Sequence, residues 1–99
     1  MRYFSTNTQS PLTDFKEATI RGQAPDKGLY FPERIPRLSA SLLSNIKGYP
    51  KEQIAFEVIK PYVGNVIPEQ DLFQIVRETV DFEFPLVRVT NNIYSLELF

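Results

Sequence analysis

Apolar residues recur in pairs at four-residue spacing between Pro50 and Val63. The pairs are Ile54-Ala55, Val58-Ile59 and Tyr62-Val63. This spacing predicts an amphipathic helix that Pro50 opens and Gly64 ends. Phe56 lies beside the stripe, so the apolar arc covers about half of the helix circumference. An arc of that width predicts that the helix has neighbours on more than one side.

Three other segments have the sequence features of helices. Pro68 opens one, whose buried face is predicted to comprise Leu72, Phe73, Ile75, Val76 and Val80. Earlier in the chain, Asp14 and Glu17 are spaced as a capping box, and Gly22 follows as a left-handed stop. That pattern predicts a helix of about two turns. A short helix is also expected over residues 39–46.

Short β-rich runs separate and follow these helices. Strands are predicted over Arg2 to Ser5 and Leu29 to Phe31. Near the end of the chain, Leu86 to Thr90 and Ile93 to Leu98 flank Asn91-Asn92, which predicts a hairpin. The expected fold class is α+β, with about four helices packed on a small sheet of short strands that includes this C-terminal hairpin. A length of 99 residues favours a single domain over 1–99.

Composition excludes several classes of function. The chain has no histidine and no cysteine, so zinc and copper sites, cysteine or serine–histidine nucleophiles and disulfides are not expected. The formal net charge is −1 and the basic residues are scattered, which argues against a nucleic-acid partner. No apolar run approaches the roughly 18 residues of a membrane span. We therefore expect a soluble protein with no membrane partner. The absence of cysteine fits a reducing compartment, and the expected location is cytoplasmic.

Candidate chemistry is sparse. Carboxylate pairs such as Asp14 and Glu17 are explained first by helix capping, and Lys16 is expected on the surface of its helix. The turn Asp26-Lys27-Gly28-Leu29-Tyr30 is the most function-like segment, because its polar groups precede a rigid apolar run. Turn chemistry alone explains it about equally well. The residues assign no catalytic, cofactor-binding or metal site.

Four stretches together resemble the N-terminal domain of threonine synthase of the microbial and fungal type. They are Tyr3-Phe4-Ser5-Thr6, Phe15-Lys16-Glu17-Ala18 with Gly22, Ala24-Pro25-Asp26-Lys27-Gly28-Leu29-Tyr30-Phe31-Pro32, and Leu96-Glu97-Leu98-Phe99. The third is the most specific. Two departures from the family pattern are Lys27, at a position often filled by glycine, and Asn7, where many members carry arginine.

This resemblance implies a part of a larger enzyme. In the family, Leu-Glu-Leu-Phe precedes His-Gly-Pro-Thr-x-x-Phe-Lys-Asp, whose lysine forms the Schiff base with pyridoxal phosphate (PLP). The catalytic lysine and the cofactor-binding domains would then lie beyond Phe99. The full-length protein would be a lyase of threonine biosynthesis that converts O-phospho-L-homoserine and water to L-threonine and phosphate, with the cofactor as electron sink. The chain alone would bind no cofactor and be inactive.

The role implied for the domain itself is to pack against the cofactor-binding domains of the same polypeptide and help close the active site. The turn Asp26 to Tyr30 is the candidate for the active-site-facing part. The alternative is a free-standing protein-interaction module without catalytic activity. A small carboxylate-dependent hydrolase is a third and weaker reading. The sequence does not determine the oligomeric state.

Overall fold

A computed structural model describes residues 1–99, which form four α-helices and four short strands. In chain order the elements are β1 (Tyr3–Ser5), α1 (Phe15–Arg21), β2 (Tyr30–Pro32), α2 (Ala40–Ser44), α3 (Lys51–Val63), α4 (Glu69–Thr79), β3 (Leu86–Thr90) and β4 (Ile93–Leu96). A 3-10 helix over Ile46–Gly48 follows α2. The predicted α+β class is confirmed.

Side-chain caps begin the two short helices. The Asp14 carboxylate accepts a hydrogen bond from the Glu17 amide at the start of α1, and Ser39 caps α2 in the same way. The reciprocal half of the predicted capping box is absent, because the Glu17 side chain pairs with Arg21 instead. Gly22 ends α1 with φ of 70°, as the sequence indicates.

The core lies where α3 packs against α4. Phe56 and Val63 of α3 meet Leu72 and Val76 of α4, and each of these side chains is at most 8% exposed. Partly buried side chains close the core at its edge, namely Phe15, Ala55, Ile59, Ile67 and Phe73. The wide apolar arc of α3 is thus shared between α4 and α1, which confirms that α3 sits between neighbours.

The predicted buried face of α4 is correct in its centre only. Leu72 and Val76 are buried, whereas Phe73 and Val80 are half-buried. Ile75 is 50% exposed and lines an open apolar groove together with Phe15 of α1 and Ala55 of α3. The periodicity therefore locates the helix and its central contact but overstates the width of its buried face.

The strands divide between two separate two-stranded antiparallel sheets. Strand β1 pairs with β2, so that Phe4 lies opposite Phe31, and Tyr3 donates a hydrogen bond of 2.8 Å to the Tyr62 carbonyl in α3. Strands β3 and β4 form the C-terminal hairpin, whose register shifts at a bulge beside the turn. Only Asn92 of the Asn-Asn pair has a positive φ, at 60°, because the bulge replaces a symmetric two-residue turn. One sheet therefore joins the helical core and the other does not.

Candidate functional site

The turn from Ala24 to Gly28 folds back against the segment that follows β1. It is closed by a hydrogen bond of 2.8 Å from the Lys27 amide to the Ala24 carbonyl and one of 3.0 Å from the Ala24 amide to the Gly28 carbonyl. The Leu29 amide then donates to the Thr6 hydroxyl at 2.9 Å. These bonds hold the turn and the polar segment 6–10 side by side.

Asp26 is the centre of this arrangement. The hydroxyl of Ser5 donates to Asp26 Oδ1 at 2.6 Å, and the Gly28 amide donates to the same oxygen at 3.0 Å. The other carboxylate oxygen, Oδ2, accepts from the Gln9 amide at 2.9 Å. The backbone of Asp26 is held as well, since its carbonyl accepts from Asn7 Nδ2 at 2.9 Å. Both carboxylate oxygens are therefore occupied by donors of the chain itself.

These donors lower the pKa of Asp26. Its ordinary value of 3.8 falls to about 2, first because the Ser5 hydroxyl stabilises the charged form and then through the amides of Gly28 and Gln9, against partial desolvation. A carboxylate with this pKa stays ionised at neutral pH. It is matched to a structural role and is a poor proton donor.

Gly28 permits the close approach of the two segments. It is buried, and a Cβ at this position would lie 2.0 Å from Ser5 Oγ and 2.8 Å from the Asn7 amide nitrogen. Ser5 is fully buried, and its hydroxyl can move away only by breaking its hydrogen bond to Asp26. Only glycine fits here without opening the network.

The five residues of the predicted turn point in different directions. The Asp26 carboxylate bonds to Ser5 and to the Gln9 amide, and Gly28 is buried. Lys27 and Leu29 are exposed, and Tyr30 is half-buried. Lys27 has a φ of 69°, a left-handed conformation that costs a residue with a Cβ about 1 kcal/mol. Of the other charged side chains, Arg21 lies near Tyr30, where it is paired with Glu17. Of the two charged residues within 26–30, only Lys27 is exposed.

Sequence reasoning missed the partners of Asp26. Ser5, Gln9 and Ser10 all bond to it, the last as acceptor for the Asp26 amide at 3.1 Å. The available signal was the run of small polar residues that directly follows an apolar strand, a composition that favours side-chain bonds to nearby backbone.

The remaining candidates are surface groups. Glu69 pairs with Lys60, and Lys16 is exposed in the first turn of α1, as predicted. No lysine of the chain is buried, so none resembles a Schiff-base lysine enclosed in a cofactor pocket, and the residues present do not make a PLP site. No three His, Cys, Asp or Glu residues are grouped so as to hold a metal ion. None of the helices is long and apolar enough to cross a membrane.

A small helical core, a two-stranded sheet tied to it and a separate C-terminal hairpin define a small α+β domain. Residues 2–80 match the sequence model of the family described as Threonine synthase N terminus. The chain therefore belongs to the threonine synthase N-terminal family.

Known relatives are much longer than this chain. It is 36% identical to threonine synthase of Pseudomonas aeruginosa, in an alignment that covers all of this chain and 22% of the relative. It is 42% identical to threonine synthase of Methylobacillus glycogenes, in an alignment that covers 80% of this chain and 16% of the relative. The PLP-bound threonine synthase of Brucella melitensis superposes on the whole chain with a TM-score of 0.87 and 35% identity, over 22% of its own length. The chain thus spans about a fifth of these proteins.

Proposed function

We propose that this chain is the N-terminal accessory domain of a cytoplasmic threonine synthase. The full-length polypeptide would convert O-phospho-L-homoserine and water to L-threonine and phosphate, with PLP bound by domains that follow the residues described here. The observation that carries the proposal is the superposition with the PLP-bound Brucella enzyme, which extends over the whole chain with a TM-score of 0.87.

The chain alone is expected to bind no PLP and to be inactive. Without histidine or cysteine, and with every lysine at least partly exposed, it offers no enclosed group to form a Schiff base or to relay a proton at neutral pH. Asp26 is committed to its network with a pKa of about 2. The catalytic groups must therefore come from the rest of the polypeptide.

The domain's own role, on this proposal, is to pack against the cofactor-binding domains and help close the active site. The turn 26–30 is suited to that position, because the Asp26 network makes it rigid and Lys27 extends outward as a cation. A cation at the rim of the active site would attract a phosphorylated substrate.

Phosphate release from O-phospho-L-homoserine tests the proposed reaction. We expect turnover by the full-length polypeptide with PLP and none by the chain 1–99 under the same conditions. Absence of turnover in the full-length protein would contradict the assignment, and turnover by the chain alone would contradict its accessory role. A natural chain that stops at Phe99 would instead favour a free-standing interaction module.

The role of the turn is tested by reversing its charge. In the full-length enzyme, Lys27→Glu should raise KM for the phosphorylated substrate several-fold while PLP content stays the same. Lys47→Glu, an exposed charge reversal on the 3-10 helix, is the matched control and should leave KM unchanged. Equal kinetics of the two variants would remove the turn from the active-site rim.

A further inference from the structure

The β3–β4 hairpin is exposed along its whole length and on both faces. Every residue from 86 to 96 is exposed, and β3 packs extensively only with β4. Leu86 and Leu96, opposite each other on one face, are 65% and 56% exposed, while Val87 and Ile93 lie on the other. An isolated two-stranded hairpin is marginally stable in water, and apolar residues on both faces are typical of a strand covered on both sides.

The chain also has more surface than its mass predicts. Its accessible area is 7695 Å², whereas a compact monomer of 11.5 kDa exposes about 5,800 Å². Its radius of gyration is 16.6 Å, compared with about 12.6 Å for a compact chain of this length. The excess of about 1,900 Å² exceeds the roughly 800 Å² that one partner contributes to a standard interface.

A boundary separates the hairpin from the helical core. The family match ends at residue 80, next to the end of α4 at Thr79. Phe82 and Phe84 follow, and their rings lie edge to face with centroids 4.4 Å apart, with Lys51 of α3 over the Phe84 ring. Phe82 and Phe84 thus contact α3 through Lys51, and the strands without contacts of this kind begin only after them.

We propose that the β3–β4 hairpin belongs to the fold of the polypeptide that follows in the relatives, and that it adds its strands to a sheet of that region. The domain boundary then falls at 81–85. The relatives have enough further polypeptide to form such a sheet, because residues 1–99 cover only about a fifth of their length. A second copy of this chain would cover the hairpin less completely, because a two-fold contact between two hairpins covers only one edge or one face of each hairpin.

This inference rests on the proposed function, and amide hydrogen exchange tests it directly. In the isolated chain 1–99, amides of β3 and β4 should exchange much faster than those of α3 and α4. In the full-length polypeptide the hairpin amides should be protected at least about 100-fold more, because they join a cooperative sheet. Unchanged exchange in a full-length protein that turns over O-phospho-L-homoserine would overturn this inference alone.

Two substitutions of equal kind and exposure provide a second test. Val87 in β3 is 40% exposed and Val66, between α3 and α4, is 38% exposed. In the full-length protein, Val87→Thr should lower the unfolding temperature by about 2–4 °C, and Val66→Thr by about 1 °C or less. In the chain 1–99 the two variants should lower the unfolding temperature by equally small amounts. Equal shifts in the full-length protein would overturn the proposal.

Self-association of the chain gives the remaining outcome. Sedimentation could show that chain 1–99 forms a dimer, and hydrogen exchange could show that this dimer protects the hairpin amides as strongly as the full-length protein does. Those two results together would mean that a second copy of the chain covers the hairpin. A monomer with unprotected hairpin amides is the result expected here.

Discussion

Replacing Gly28 by alanine tests the packing of the turn against the end of β1. The new Cβ would lie 2.0 Å from Ser5 Oγ and 2.8 Å from the Asn7 amide nitrogen, so the two segments must separate. Overpacking of this kind costs about 1–3 kcal/mol, and a buried hydroxyl that loses its partner costs about 1–3 kcal/mol more. We expect a total loss of about 2–6 kcal/mol from a stability of about 5–15 kcal/mol.

Urea denaturation of the chain 1–99 measures this loss. The midpoint should fall by about 1–3 M in Gly28→Ala. Gly48→Ala is the matched control, because nothing lies within 4 Å of a Cβ there and its φ is not positive. It should change stability by about 0.5 kcal/mol or less.

A local measurement separates this cause from a general loss of stability. In Gly28→Ala the pKa of Asp26, followed by NMR, should rise from about 2 towards its ordinary 3.8 as the Ser5 hydroxyl and the Gly28 amide withdraw. A variant as stable as Gly48→Ala, or one whose Asp26 pKa is unchanged, would refute the reasoning.

Three further predictions concern the core, the turn and the response to acid. Leu72→Ala should cost about 2–5 kcal/mol in thermal or urea unfolding. Ile75→Ala, at the half-exposed edge of the apolar face of the same helix, should cost about 1 kcal/mol or less, and similar costs would contradict the core described here. Lys27→Gly should stabilise the chain by about 0.5–1 kcal/mol by relieving the positive φ, with Lys27→Ala as the control that gains nothing. Because the pKa of Asp26 is lower in the folded chain than in the unfolded chain, its contribution to stability is complete above pH 3.8 and is lost as pH falls towards about 2. Denaturation midpoints measured across that window should fall more steeply in the parent than in Asp26→Asn, and equal slopes would contradict the Asp26 network.

Local sequence signals were sufficient for most elements of the fold. Four-residue apolar spacing located α3, and Asp14 and Gly22 marked the ends of α1, because caps and periodicity act within a few residues. The division of the strands into two sheets was not predictable, since pairing depends on contacts distant in sequence. The same holds for the exposure of Ile75, which depends on how α4 packs against α1 and α3.

The sequence predicted where the candidate site lies but not the hydrogen bonds that hold it together. The sequence singled out Asp26 to Tyr30, yet it gave no sign that Ser5 would supply the strongest bond to Asp26 across 21 positions of chain. That bond forms because β1 and β2 are paired, a long-range fact. Its effect is to make Asp26 structural and leave Lys27 as the outward group.

The most direct test removes residues 1–80 from the full-length polypeptide, keeps the hairpin and everything that follows it, and measures the rate of phosphate release. If the helical core helps close the active site and the hairpin belongs to the following domain, the shortened enzyme should fold and keep its PLP absorbance. Its kcat/KM for O-phospho-L-homoserine should nevertheless fall at least about 100-fold, as expected when an element that completes an active site is lost. Unchanged kcat and KM would contradict the account.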